Sequence, residues 1–151
     1  MNSSVIERQR AFGAWQLALQ TTRSREFVDI TDAVAKRVAE SGISTGIVVI
    51  ASRHTTACIA VNEHEPELLK DMDAFLIGLA AEHDQYGHNR VPCEDGEKPN
   101  GHAHCQALLL NSSASVPLVA GTMMLGQYQR IFLVELDCAR RRQVTIAVLG
   151  A

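Results

Sequence analysis

The last third of the chain contains four strand-like segments, rich in β-branched and apolar residues and separated by turns. Gly121, Gly126 and the polar stretch 137–142 mark the turns. The segments cover residues 115–119, 122–125, 130–136 and 143–149. Successive strands joined by such short connections predict a mainly antiparallel sheet.

The first part of the chain adds strands of the same kind. They are predicted over residues 12–20, 26–30, 46–51 and 57–61. We expect the first two to pair as a hairpin across a polar turn. The run 46–51 is continuous and β-branched, which predicts a strand buried on both faces.

Three helices are predicted between these strands. Thr31 or Asp32 is expected to cap the first, and Ser41-Gly42 supplies its C-terminal stop. Pro66 suits the first position of the second, which carries an apolar stripe and extends to about residue 81. A short third helix is expected over residues 104–110.

Strands outnumber helices, and the helices do not alternate with them regularly. The predicted fold class is therefore α+β, with mainly antiparallel β-sheets packed as a sandwich and two or three flanking helices. At 151 residues, we expect one domain covering residues 1–151.

Composition excludes several classes of protein. The net charge of -3 gives no support for a nucleic-acid partner, which would favour a clearly basic domain. No apolar run approaches the roughly 18 residues of a membrane span, so no membrane partner is expected. The N-terminus is polar and lacks a signal segment, which favours a cytoplasmic location. The four cysteines are scattered without a C-x-x-C pair and are interpreted mainly as small buried hydrophobes.

Residues 82–105 form a polar, loop-rich stretch that holds four of the six histidines, His83, His88, His102 and His104. Loops this long inside a compact domain are usually functional or disordered. His102 and His104 diverge by about 200° if they begin a helix, so we expect only one to reach a site. Three imidazoles with an open position match a catalytic type of zinc site. The alternative is a set of surface histidines in a polar loop.

Two further groups are candidates for chemistry. His54 follows a predicted strand, and Glu63 ends the next one; alone, they read as a turn histidine and a solvated carboxylate. Arg140, Arg141 and Arg142 could hold a phosphate by paired hydrogen bonds, although charge runs are more often solvated turns. The absence of P-loop, G-x-G-x-x-G and G-x-S-x-G motifs leaves a nucleotide-binding domain or serine hydrolase unsupported.

The order of these residues resembles a known family, the YjbQ family, described as secondary thiamine-phosphate synthases. The resemblance covers residues 12–150. Its features are H-T-T-A at 54–57, N-E at 62–63, Y-x-H at 86–88, A-H at 103–104, V-P-L-V-x-G at 116–121, L-G-x-x-Q-x-I at 125–131, Glu135 and R-R-x-V at 141–144.

The resemblance implies packed antiparallel sheets, a homotrimer and a histidine metal site near a subunit boundary. By position, it gives His54, His88 and His104 as metal ligands, with a divalent metal, zinc by expectation, as cofactor. Glu63 is the expected general base or acid, and Arg141 the expected catalytic residue on a small phosphorylated substrate.

The implied function is a metal-dependent enzyme that joins a pyrimidine diphosphate to a thiazole phosphate and releases pyrophosphate. The alternative is a non-catalytic metal-binding trimer that binds a small ligand or a partner. The alternative is motivated by departures from the family pattern at Asn89, Tyr128 and Cys138.

Overall fold

A computed structural model describes residues 11–91 and 98–151. The described residues contain eight strands and three α-helices. In chain order these are β1 (Ala11–Gln20), β2 (Glu26–Asp29), α1 (Thr31–Ser41), β3 (Gly46–Ser52), β4 (Ala57–Glu63), α2 (Pro66–Leu79), α3 (Gly101–Leu109), β5 (Ser113–Val119), β6 (Thr122–Met123), β7 (Gln129–Glu135) and β8 (Arg141–Gly150). A short 3₁₀ helix, Gly87–Arg90, precedes α3.

The strands form two antiparallel sheets. Sheet A has the order β1-β8-β3-β5-β6, and sheet B has the order β2-β7-β4. The predicted α+β class with packed antiparallel sheets and flanking helices is confirmed.

The main core lies between the two sheets. Sheet A contributes Val48 and Ile146, among others, and sheet B contributes Ile59 and Leu133. Successive residues of β7 face opposite sides of sheet B. Ile131 and Leu133 pack in the main core, and Phe132 packs in a second core on the other side of the sheet. The residues of β7 from 131 to 135 are all buried, so this strand is covered on both faces.

Helices α2 and α3 cover the outer face of sheet B. Their buried residues, such as Leu76 and Ala103, pack with Phe132. The Glu65 carboxylate accepts hydrogen bonds from the backbone N–H groups of residues 67 and 68, which caps α2 directly before Pro66. The side-chain amide of Gln106 donates to the carbonyls of residues 76 and 80, so α3 also caps the end of α2.

The predicted hairpin of the first two strands is wrong. Strand β1 pairs over its whole length with β8, whereas β2 pairs with β7 in the other sheet. The residues between them carry the chain from one sheet to the other. A ten-residue strand finds a full-length partner in β8, which a four-residue strand cannot provide.

The expected burial of both faces of 46–51 is also wrong. Val48 and Ile50 face the core, but Ile47 is 38% exposed on the open face of sheet A. The doubly buried strand is β7. Local hydrophobicity cannot distinguish the two, because burial depends on which sheet lies in the middle of the sandwich.

Smaller differences concern helix ends and cysteines. Helix α1 begins at Thr31, whose hydroxyl donates to Asp29 and accepts from the backbone N–H of Ile131 instead of capping the helix. Helix α3 begins three residues earlier than expected. Cys58 is buried as expected, but Cys105 is exposed.

No helix in residues 11–91 or 98–151 is long and apolar enough to cross a membrane.

Candidate functional site

Two of the predicted histidines come together beside α3. The rings of His88, in the 3₁₀ helix, and His104, in α3, lie 4.8 Å apart between centroids and meet edge to face. Asn89 holds the 3₁₀ helix in place, because its side-chain oxygen accepts the Gly101 N–H at 2.8 Å. Burial, with a smaller contribution from His88, lowers the pKa of His104. At neutral pH His104 is therefore a neutral imidazole.

His54 is held in a different way. Its Nε2 accepts a hydrogen bond of 2.8 Å from the backbone N–H of Gln143 in β8. The neutral ring therefore carries its proton on Nδ1. Burial lowers the pKa of His54, and the positive charges of Arg142 and Arg53 act in the same direction.

The predicted group of three histidine ligands is not found. Among residues 11–91 and 98–151, no set of three or more histidine, cysteine, aspartate or glutamate side chains is arranged to hold a metal ion. Nε2 of His54, one of the two nitrogens it could offer a metal, already accepts a backbone hydrogen bond. The sequence also favours a flap over the site at residues 91–100, but most of that stretch, residues 92–97, lies outside the described residues.

A buried ion pair organises the neighbouring polar end of the molecule. Glu135 is fully buried, and its carboxylate accepts hydrogen bonds from Nε and Nη2 of Arg142. The same carboxylate accepts from the Thr21 hydroxyl and the Asp137 backbone N–H, each at 3.0 Å. Arg142 also donates to the Thr56 hydroxyl at 3.1 Å. Every charge in this pair is satisfied, which makes Arg142 a structural residue.

The three consecutive arginines therefore have different environments. Arg140 pairs with Asp137 at 2.9 Å, and Asp137 also accepts from Asn100 at 3.1 Å. Arg141 is exposed on the opposite face of β8 from Arg142. The prediction that all three could hold a phosphate is wrong for Arg142, whose guanidinium is buried against Glu135.

Glu63 lies at the other end of sheet B. Ala57 pairs with Glu135 at one end of β4, and Glu63 pairs with Gln129 at the other. Six residues of strand separate the two ends by about 20 Å. The two predicted catalytic residues, Glu63 and Arg141, therefore do not share one site within a chain.

Sequence reasoning missed the polar residues that lie near Glu63. Nδ1 of His64 lies 2.9 Å from Asp29 Oδ2, and Arg130 donates to the same oxygen at 2.7 Å. Hydrogen bonds from Arg130 and Thr31 hold the pKa of Asp29 well below its usual range, against the opposing effect of burial. These residues lie far apart in the sequence and meet because β2 and β4 both pair with β7. These contacts could be predicted only from the order of the strands in sheet B.

Comparison with known proteins gives one consistent family. The family model described as UPF0047 protein YjbQ-like matches residues 15–151. The chain is 39% identical to a UPF0047 protein of Methanothermobacter thermautotrophicus over 89% of this chain and 90% of that one. It is 32% identical to UPF0047 protein YugU of Bacillus subtilis over 89% and 97%. A crystal structure of a YbjQ-like protein of unknown function from Sulfolobus solfataricus is similar, with a TM-score of 0.89 and 35% identity over 95% and 100%.

These findings correct the predicted function. The relatives are described only as UPF0047 proteins, and the Sulfolobus protein as one of unknown function. With no metal-holding group in residues 11–91 and 98–151, the predictions of a metal-dependent thiamine-phosphate synthase and of a metal-binding trimer are wrong. The family that suggested them is confirmed, since the match extends over residues 15–151 and both the relatives and the solved structure agree. The chain belongs to the YjbQ-like UPF0047 family.

Proposed function

We propose that the protein binds a small phosphorylated molecule on the open face of sheet A, at the end that carries His54. Two arginines, Arg53 and Arg141, support this proposal. Both are exposed, and neither makes a side-chain hydrogen bond or ion pair with any residue in 11–91 or 98–151. An arginine without a carboxylate partner is available to a ligand, and its planar guanidinium matches phosphate oxygens.

The strand register places these arginines next to each other. The backbone N–H of Arg53 reaches the carbonyl of Gln143, which lies two residues after Arg141 in β8. Arg141 and Gln143 lie on the open face because they alternate with the buried Arg142. Arg53, one residue beyond β3, lies opposite Gln143 and shares that face. Residues related diagonally across two strands lie about 7–8 Å apart. Both guanidinium groups are therefore within reach of a single phosphate.

His54 completes this surface. Its Nδ1–H is a hydrogen-bond donor beside Arg53, and its low pKa keeps the ring neutral at pH 7. Glu135, the nearby carboxylate, is already neutralised by Arg142 and does not repel an anion strongly. The surface thus presents donors and positive charge, which favours a phosphate ester over a cation.

Calorimetric titration with glycerol 3-phosphate tests this proposal, with glycerol as the uncharged comparison. We expect only the phosphate ester to bind. Arg141→Gln and Arg53→Gln should each weaken it about tenfold or more, because a charge-assisted hydrogen bond contributes about 1.5–3 kcal/mol. Lys36→Gln, which removes an exposed positive charge on α1, is the matched control and should bind normally. Equal binding by Arg141→Gln and the unaltered protein would contradict the proposal.

The other expectations are separate from this proposal. Catalysis by Glu63 or Arg141, zinc as a cofactor, the homotrimer and the cytoplasmic location stay predictions. Zinc is best measured by metal analysis of the purified protein, with and without His104→Ala.

A further inference from the structure

A groove at the far end of sheet B is distinct from the arginine surface. It has a volume of about 420 Å³ and is lined by Asp29, Glu63, His64, Pro66, Tyr128 and Arg130. A second hollow of about 290 Å³ shares Glu63 and Tyr128. The larger volume is within the range of small-molecule sites in proteins.

The charges of this groove leave one carboxylate unbalanced. Arg130 donates to Asp29 at 2.7 Å and to Asp32 at 3.0 Å, so its positive charge is already neutralised. Asp29 has its own partners in Arg130 and Thr31. The Glu63 carboxylate has no hydrogen bond or ion pair with any residue in 11–91 or 98–151, and it lines both hollows. The groove therefore favours a positively charged ligand.

An aromatic ring lies in the same groove. Tyr128 is 63% exposed, although large aromatic side chains gain free energy from burial. It lines both hollows together with Glu63. A carboxylate and an exposed aromatic face are the two features that bind organic cations, through charge pairing and cation–π attraction.

His64 adds a directional hydrogen-bond acceptor. Its Nδ1 is committed to Asp29, which leaves Nε2 as the unprotonated nitrogen of the neutral ring. Nε2 has no partner in residues 11–91 and 98–151. Edge-to-face contact with Phe132, at 5.3 Å between centroids, helps to fix the ring. The nitrogen is thus suited to accept one N–H bond from a ligand.

We propose that this groove binds a small primary amine in its ammonium form. Glu63 provides the opposite charge, the Tyr128 ring contacts the cation, and Nε2 of His64 accepts one of its N–H bonds. The three N–H donors of a primary ammonium group distinguish it from a quaternary ammonium ion, which has none.

Backbone amide NMR spectra of the full chain, recorded at constant ionic strength, test the proposal. The probes are butylamine hydrochloride, tetramethylammonium chloride and 1-butanol. We expect butylamine to bind best and to shift the amides of residues 61–64 and 126–130. Tetramethylammonium should bind more weakly, and 1-butanol should cause no saturable shift.

Four variants separate the contributions. Glu63→Gln should weaken butylamine at least tenfold, and Tyr128→Leu by about threefold or more. His64→Leu should remove the preference for butylamine over tetramethylammonium. Asp71→Asn removes an exposed carboxylate of α2 that does not line the groove, and it should bind like the unaltered protein.

Two results would overturn the proposal. One is equal binding of 1-butanol and butylamine, which would indicate apolar binding alone. The other is unchanged butylamine affinity in Glu63→Gln. Since Glu63, His64 and Tyr128 are all exposed, their variants should retain the melting temperature of the unaltered protein, and loss of binding then reports on the groove.

Discussion

His102 is a buried imidazole without a hydrogen-bond partner. It is 2% exposed, and neither ring nitrogen meets a donor or acceptor in residues 11–91 and 98–151. Burial lowers its pKa. Helix geometry correctly separated it from His104, but it could not show that His102 enters the core. That outcome depends on how α3 packs against α2, which the sequence pattern does not specify.

We expect His102 to make stability pH-dependent. Its pKa in the folded state lies below the unfolded value of about 6.5, so the unfolded chain takes up the proton first as pH falls. Stability is therefore highest above about pH 6.5 and falls below it, as the pH approaches the lower pKa of the folded state. His54 and His104 add to this loss because their pKa values are also lowered.

The test compares urea unfolding at pH 7.5 and pH 5.5. The His102→Leu variant should lose less stability between the two than the unaltered protein. It should be at least as stable at pH 7.5, because a buried polar group without a partner costs about 1–3 kcal/mol. His83→Gln, at an exposed position, should keep the original pH dependence. An unchanged pH dependence in His102→Leu would exclude this role.

At the scale of the elements, β3 and β8 lie close together where Gly46 pairs with Gly150. A Cβ on Gly46 would lie 1.9 Å from the backbone oxygen of Leu149, closer than any side chain allows. Gly78 in α2 is the opposite case, with no atom within 4 Å of an added Cβ. The two positions give a matched pair of substitutions.

Gly46→Ala should therefore lower the free energy of unfolding by several kcal/mol, since the backbone must move where β3 begins beside the end of β8. Gly78→Ala should raise it by at most about 0.5–1 kcal/mol, because glycine in a helix is less favourable than alanine and Gly78 lies in the last turn of α2. Chemical denaturation of both variants measures the two values. A Gly46→Ala protein as stable as the original would show that the strands can separate there without cost.

The elements were easier to predict from the sequence than their arrangement. Periodicity and turn residues predicted all eight strands and all three helices of the described residues, because these signals are local. Sheet membership was missed for β1 and β2, since it depends on strand length and on distant partners. For the same reason the predicted site is divided between two regions of the fold. His54 and Arg141 lie at the end of sheet A where β3 ends and β8 begins, whereas Glu63 and His64 lie where β4 of sheet B ends.

On the scale of the whole molecule, α2 and α3 leave large apolar side chains in solvent. Phe75 is 66% exposed, Leu108 85% and Leu109 65%, and both helices lie on the same face of sheet B. Contiguous exposed apolar surface commonly marks a protein interface. This observation is compatible with the homotrimer that the family resemblance implies.

If this apolar surface forms the interface of the homotrimer that the resemblance implies, sedimentation velocity should detect three associated chains. Leu108→Glu should shift the protein toward a monomer, because a charge in a dry interface lacks a partner. Ala35→Glu, on the exposed side of α1, should leave the assembly unchanged. A monomer at all concentrations would contradict the prediction of a trimer.

The hydrogen bond from Gln143 to His54 has a consequence for the edge between β3 and β8. The imidazole takes the place that a peptide carbonyl would occupy as the last acceptor beyond the end of β3. A backbone carbonyl accepts hydrogen bonds at any pH, whereas a protonated imidazole has no nitrogen that can accept one. The last hydrogen bond between these two strands is therefore lost when His54 is protonated. Acidification thus weakens the pairing of β3 and β8 at the end that also carries Arg53 and Arg141.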